Sequence, residues 1–165
     1  MFCVGCRKHC HEFPANLNYF PYQNGQELKF TNSQYNFKNF IIASKKNTKA
    51  YSFAWNCKCE CDIFSRFSIN ENQDSLSIKE AFLRLGGGGE YISSIYIDFQ
   101  FQYDYLTKEL DVGKLVPYDE IYKYIDDTIV IENENNQIVK KIVIVKGKGL
   151  ISYTTADGEE WKLVE

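Results

Sequence analysis

The sequence predicts a mainly β domain, a single curved antiparallel sheet folded as a sandwich or an open barrel. The stretch from Thr128 to Val164 contains runs of β-branched residues, which suit a half-buried pleated surface. Asn135-Asn136 and Asp157-Gly158 separate these runs and tolerate the positive φ values of hairpin turns. The chain is therefore expected to close with an antiparallel meander, in which Trp161 packs on the sheet face and holds the last strand.

An alternating run from Ile92 to Leu106 is the second observation behind this fold class. Apolar residues occupy every other position and polar residues lie between them, a pattern typical of a long strand buried on one side. The glycine tract 86–89 precedes this run. No Lys-Ser/Thr pair follows it and its flanks are strands, so we interpret the tract as a hairpin loop and not as a phosphate-binding loop.

Further strands are predicted in the first half of the chain. Asn24-Gly25 indicates a hairpin, after which residues 26–30 alternate. Phe37 to Ala43 and Tyr51 to Cys61 are predicted strands, separated by a polar loop at residues 45–49.

One short helix is predicted near residues 117–125. Pro117 suits the first helical position, and Asp119 and Glu120 suit the first turn. Ile121, Tyr124 and Ile125 make a narrow apolar stripe, so the helix is expected to cover a sheet face or an open end.

Length, charge and hydropathy limit the organisation of the chain. Its 165 residues suffice for one domain with its own core, predicted at residues 13–165 behind a tether at residues 1–12. A net charge of −3 argues against a nucleic-acid partner. No apolar run is long enough to span a membrane as a helix.

The N-terminal residues Val4-Gly5-Cys6 follow a short apolar run and are similar to the lipobox of bacterial lipoproteins. We therefore predict that Cys6 is lipidated. Cys3 stands where leucine is usual, and the preceding run is shorter than a full signal peptide. The alternative is an ordinary cytosolic N-terminus with unrelated cysteines.

The cysteines of the CxCxC run allow three interpretations. They are core thiols on a half-buried strand, or one of them forms a disulfide with Cys10, or they belong to a zinc or copper site. The spacing lacks the C-x₂-C pattern of zinc knuckles, which favours core thiols. The candidate metal ligands are His9, Cys10, His11, Cys57, Cys59 and Cys61.

No catalytic motif stands out in the sequence. His9 and His11 are the only histidines, and both lie in the predicted tether. Asp126-Asp127 and Glu159-Glu160 could be considered acid/base pairs, but adjacent residues on a strand point to opposite faces. We predict a protein that is not an enzyme and that needs no cofactor.

Two segments carry a resemblance to a known group of proteins. The opening YFPYQNGQELKF and the closing KGKGLISYTTADGEEW resemble those of uncharacterised lipoproteins from Gram-negative gut bacteria. The resemblance implies a β-rich domain anchored in the cell envelope, and it implies no known activity. Because no acidic run follows Cys6, an outer-membrane lipoprotein facing the periplasm is expected.

The expected function is therefore that of a non-enzymatic binding or envelope-assembly module. Its partners would be the membrane, through a lipid anchor, and an apolar ligand or an envelope protein. A small carboxylate-dependent hydrolase and a cysteine-rich metal-binding protein are the alternatives.

Overall fold

Ten antiparallel strands form one sheet in the computed structural model, and the sheet is nearly closed into a barrel. The mainly β prediction is therefore confirmed. The structure describes residues 11–53, 59–69, 78–86, 91–101 and 104–165. The strands are β1 (Glu27–Thr31), β2 (Phe37–Phe53), β3 (Cys59–Ile69), β4 (Glu80–Gly86), β5 (Tyr91–Gln100), β6 (Tyr105–Pro117), β7 (Thr128–Glu132), β8 (Val139–Val145), β9 (Gly149–Thr155) and β10 (Glu160–Leu163).

The order of the strands joins the two ends of the chain. Strands β2 to β6 follow β1 on one side, and β10 to β7 follow it in reverse chain order on the other. β1 therefore pairs with both β2 and β10, and Phe30 lies opposite Leu163 in the second pair. This order leaves β6 and β7 as the two edges, and the curvature of the sheet brings them beside each other.

Aromatic and branched side chains fill the interior of the barrel. In β5, Ile95, Ile97 and Phe99 are fully buried, as their alternation predicts. Trp161 is buried on β10 and stacks on Tyr153 with 6.3 Å between the ring centroids, which confirms the predicted packing on the sheet face. Each large apolar side chain buried in this way contributes roughly 1.5–3 kcal/mol.

Residues Phe13–Tyr22, here called the plug segment, close one end of the barrel. The Tyr19 hydroxyl donates a hydrogen bond to the Asp126 carbonyl at 2.6 Å, and the Phe20 ring meets Phe67 edge-on at 4.8 Å. Tyr22 accepts a hydrogen bond from the Leu150 N–H at 2.5 Å. Four plug side chains are buried: Leu17, Tyr19, Phe20 and Tyr22.

The opposite end of the barrel carries the turns at 32–36, 133–138 and 156–159, together with Phe101 and Asp104 between β5 and β6, and is called the turn end. Contacts between these turns close it. The Asn32 amide donates a hydrogen bond to the Glu159 carboxylate, and the Gln137 N–H donates one to Asp104 at 3.0 Å.

The predicted helix is present as a 3₁₀ helix, Tyr118–Tyr124, with Pro117 immediately before it. Ile121 is its buried residue, whereas Tyr124 is exposed, so only part of the predicted apolar stripe faces the core. A shorter 3₁₀ turn, Ala15–Leu17, lies within the plug segment. No helix among the described residues has the length and apolarity needed to cross a bilayer.

The predicted strand from Tyr51 to Cys61 is wrong as a single element. β2 continues through the lysine-rich residues 45–49, where a loop was predicted, and ends at Phe53. β3 begins at Cys59 and pairs antiparallel with β2, with Phe53 opposite Cys59. Alternation over this run does not distinguish one strand from two. Directly opposite residues of an antiparallel pair point to the same face of the sheet, so the pattern of faces can continue from one strand into the next.

The alternating run from Ile92 to Leu106 also divides into two strands. β5 ends at Gln100, β6 begins at Tyr105, and the Phe101 N–H donates to the Asp104 carbonyl at 2.8 Å in the turn between them. The prediction of one long strand is therefore wrong at its C-terminal end. The alternating pattern places Tyr105 on the same face as Phe99. Tyr105 follows the turn, however, and its side chain is exposed.

Candidate binding site at the seam of the barrel

The seam is the place where β6 and β7 lie beside each other without forming a ladder. Each strand pairs with its inner neighbour, β6 with β5 and β7 with β8, and the pairings of the described residues include none between β6 and β7. β6 has 13 residues and β7 only five, so much of the β6 edge has no strand opposite it. Free strand edges present rows of unpaired N–H and C=O groups, which can pair with another chain.

Side chains bridge the seam where backbone bonds are missing. The Lys108 ammonium donates a hydrogen bond to the Val130 carbonyl at 2.5 Å. Nearer the turn end, the Asn136 amide donates to the Tyr105 carbonyl at 3.1 Å. The Asn136 carbonyl oxygen accepts the N–H groups of Ile138 and Val139 at 3.0 and 2.9 Å, so this buried side chain also shapes the β7–β8 turn.

A groove with a volume of about 270 Å³ lies along the seam towards the plug end. Its walls are the middle of β6, the end of the 3₁₀ helix and the start of β7. From Glu109 to Val112, charged and apolar side chains alternate along the β6 wall. The lining residues are Lys108, Glu109, Leu110, Asp111, Val112, Tyr124, Ile125, Asp126, Thr128, Ile129 and Val130.

The electrostatics of the seam are mixed and not of one sign. The Lys141 hydrogen bond, and more weakly the Lys108 charge, lower the pKa of the Glu132 carboxyl. Glu109, Asp111 and Asp126 supply negative charge along the groove. The groove therefore carries charges of both signs.

The predicted lipidation and metal residues fall largely outside the described part of the chain. Cys6, His9, Cys10 and Cys57 lie outside it, and of Cys59 and Cys61 only the place in β3 and the backbone pairing with β2 are described. The His11 ring stacks on Tyr118 with 4.6 Å between centroids. Within the described residues, no group of three or more His, Cys, Asp or Glu side chains is placed to hold a metal ion.

The two adjacent carboxylate pairs have different surroundings. Asp126 lines the seam groove, and Asp127 forms an ion pair with Lys146. At the turn end, Glu159 accepts a hydrogen bond from the Trp161 indole N–H at 3.0 Å. Glu160 pairs with Lys162 at 3.1 Å on the exposed side of β10. Asp127, Glu159 and Glu160 thus each take a different partner.

Sequence reasoning missed both residues that bridge the seam. Lys108 follows the alternating run among other polar residues, and nothing in the sequence marks it as a bridge. Asn136 is predicted only as part of a turn. Their roles depend on β6 and β7 lying side by side, and no local pattern in the chain encodes that pairing. A polar residue at an inward-facing position, such as Lys108 between Leu106 and Leu110, is the one local signal available.

Comparisons with known proteins returned no match: no family model, no curated protein and no solved structure is similar to this chain.

Proposed function

We propose that this protein is a non-enzymatic binding module of the bacterial cell envelope, anchored by a lipid on Cys6, and that its seam docks an extended segment of an envelope protein. One observation carries the docking: the free edges of β6 and β7 face each other across a groove. The Val4-Gly5-Cys6 pattern supports the anchor. The opening and closing segments, which resemble those of envelope lipoproteins, support the location.

The geometry of strand addition explains why the seam suits a peptide. A guest strand adds main-chain hydrogen bonds along an exposed edge, and alternate side chains enter pockets beside it. A guest strand paired with the β6 edge would lie about 4.7–4.9 Å from β6, the usual spacing of paired strands. At that distance it would displace the Lys108 ammonium from the Val130 carbonyl. Release of that single bond costs less than breaking a ladder, because side-chain bonds of this kind contribute only about 0.5–3 kcal/mol.

The walls of the groove indicate which peptide would fit. Leu110 and Val112 on β6 pack against the core, so the inward side of the groove is apolar beside these two residues, beyond Lys108. Glu109 and Asp111 alternate with them on the exposed side. A segment with alternating apolar and basic or neutral polar residues would satisfy both sides.

Photo-crosslinking in the native host tests the docking. A crosslinking amino acid replaces Glu109 beside the groove, and the matched control replaces the exposed Lys162 on β10, away from the seam. We expect the Glu109 position to capture a defined protein. A synthetic peptide covering the crosslinked segment should then shift the amide resonances of residues 108–112 and 128–130. Equal capture from both positions, or shifts elsewhere on the barrel, would contradict the proposal.

Metabolic labelling tests the anchor independently. The protein, expressed in its host from its own locus, should incorporate radiolabelled palmitate, and Cys6→Ala should abolish the label. Cys10→Ala is the matched control and should leave the label unchanged. Label that persists in the Cys6 variant would refute the anchor without bearing on the seam.

A further inference from the structure

We infer that Tyr91, Leu115 and Tyr124 form a membrane patch, which rests on the headgroups of a phospholipid bilayer. This inference rests on the proposed lipid anchor at Cys6. The patch is a feature of the plug end, where the described chain begins. The patch would contact the surface of the bilayer into which the lipid on Cys6 inserts.

Three large apolar or aromatic side chains are exposed at the plug end of the barrel. Tyr91, Leu115 and Tyr124 are 47 %, 67 % and 45 % exposed. Tyr91 lies opposite Pro117 in the β5–β6 ladder, and Leu115 precedes Pro117 by two positions on the same strand. Scattered apolar residues are ordinary on protein surfaces, but exposed groups of them mark interaction sites.

A bulge in β6 produces the exposure of Leu115. The ladder passes from the pair Ser94 and Asp111 to the pair Ile92 and Val116, so residues 112–115 lie opposite a single residue of β5. Gly113 adopts φ +73° in this bulge, which glycine tolerates without strain. Bulges redirect side chains and bend the strand. Here Leu115 projects outward while Val116 stays buried.

A lysine placed over one of the patch rings provides the polar contact that a headgroup needs. The Lys114 ammonium lies 4.3 Å from the centroid of the Tyr124 ring. Within the described residues, no carboxylate lies at ion-pair distance from Lys114, whereas Lys123 pairs with Glu120 at 3.2 Å. Tyrosine and lysine combine an apolar body with a polar tip, and both prefer the membrane interface.

The start of the described chain brings the anchor close to the patch. His11 stacks on Tyr118 of the 3₁₀ helix, and the Tyr118 hydroxyl donates to the Glu12 carbonyl. Cys6 precedes His11 by five positions, a distance of roughly 17 Å at full extension. A lipid on Cys6 therefore holds the 3₁₀ helix, which ends at Tyr124, within a short reach of the bilayer.

Lipid photolabelling tests this orientation on the lipidated full-length chain. The protein, purified from host membranes with its lipid verified by intact mass, is placed in vesicles of phosphatidylethanolamine and phosphatidylcholine that contain a photoactivatable phospholipid. We expect label on the peptides that carry the membrane patch. Tyr35 and Phe37 serve as the internal control, because they are 82 % and 56 % exposed but lie at the turn end.

Variants complete the test. Combined Leu115→Glu and Tyr124→Glu should lower the label on the patch several-fold, whereas Tyr35→Glu should leave it unchanged, with unaltered circular dichroism for both. Equal labelling of Tyr35 and the patch, or an unchanged label in the double variant, would overturn the proposed membrane patch. Neither result would bear on the lipid anchor at Cys6. A mass without lipid would refute the proposed anchor, and the orientation would fall with it.

Discussion

Gly149 shows at the level of one residue how the plug segment constrains the barrel. This glycine begins β9 with φ +86°, and a Cβ built on it would overlap the ring of Tyr22. Gly147, two positions earlier, has φ +78° but open space around its Cβ position. In the sequence, the Gly147-Lys148-Gly149 stretch indicates only a turn or bulge between strands, because the ring of Tyr22 arrives from a distant part of the chain.

We predict that Gly149→Ala destabilises the protein more than Gly147→Ala. Both variants incur roughly 1–2 kcal/mol for a left-handed alanine, and overpacking against Tyr22 adds roughly 1–3 kcal/mol at Gly149 only. Urea unfolding of the two variants measures the difference. Equal midpoints would mean that Tyr22 moves away without cost and that the plug is loosely seated.

Asn136 is the residue on which the β7–β8 turn and the closure of the seam both depend. Its buried side chain makes three hydrogen bonds to main-chain groups, including the one to Tyr105 across the seam. We predict that Asn136→Ala costs about 1.5–4.5 kcal/mol, since each of the three hydrogen bonds contributes about 0.5–1.5 kcal/mol.

Asn135→Ala is the matched control for this prediction. Asn135 is exposed in the same turn, so its replacement should change the free energy of unfolding by less than about 0.5 kcal/mol. Thermal unfolding of both variants provides the comparison. If Asn136→Ala behaves like Asn135→Ala, the bridge across the seam does not contribute to stability.

Asp98 provides a prediction about pH. Partial burial raises the pKa of its carboxyl, and the nearby Arg84 guanidinium opposes this shift more weakly. The folded state therefore binds the proton more tightly than the unfolded chain, and the resulting stability is lost as the pH rises through the folded pKa. We expect Asp98→Asn to stabilise the protein slightly at neutral pH.

That advantage should disappear below the ordinary aspartate pKa of about 3.9, where both states are protonated. Urea midpoints of the parent and Asp98→Asn, measured across this range, test the sign. An asparagine variant that is less stable at neutral pH would show that the attraction to Arg84 outweighs the burial of Asp98.

At the scale of the element, β10 is short but joins the two halves of the sheet. It lies between β1 and β9, and its residue Trp161 is buried against Tyr153. The Lys38 ammonium lies 4.1 Å from the centroid of the Trp161 ring and covers it at the turn end. Loss of this strand would therefore open the sheet in its middle, and not at one edge.

We predict that Trp161→Ala lowers the stability of the whole domain by about 3–5 kcal/mol, the usual cost of truncating a buried tryptophan. Val164→Ala is the control, because Val164 is exposed just after β10 and its loss should cost less than about 0.5 kcal/mol. Urea unfolding followed by circular dichroism measures both. An unchanged midpoint in Trp161→Ala would show that β10 is not part of the cooperative unit.

At the scale of the whole molecule, the plug segment packs against strands from both halves of the sheet. Its side chains reach β3 and β5 through Phe67 and Phe99, and β9 through Leu150. These strands lie in both halves of the sheet, so the plug segment connects parts of the barrel that do not pair with each other.

Deletion of residues 1–22 should therefore destabilise the entire barrel and expose its apolar interior. We expect a lower melting temperature and increased binding of an apolar fluorescent dye, compared with a chain that lacks only residues 1–10. The physical reason is the loss of four buried side chains, each contributing roughly 1.5–3 kcal/mol. Coincident melting curves for the two deletions would show that the sheet packs without the plug segment.

The sequence alone determined the fold class, most of the strands and the turns of the C-terminal meander. Ile95, Ile97 and Phe99 lie inward because an alternating pattern assigns side chains to the two faces of a strand. The Asp157-Gly158 turn forms, with Gly158 at φ +91°, because positive φ values are a local property of a few residue types. Asn24-Gly25 also forms a turn, but it leads from the plug segment into β1 instead of joining two strands.

Only the tertiary structure decided which strands become partners. Alternation assigns faces but not neighbours, so the pairing of β1 with β10, the division of the Tyr51–Cys61 run and the seam beside Lys108 could not be read from the chain. The plug segment was equally hidden, because Tyr19 and Tyr22 make their hydrogen bonds to residues more than a hundred positions away. Long-range partners are selected by the packing of the whole barrel, and local sequence carries no record of that choice.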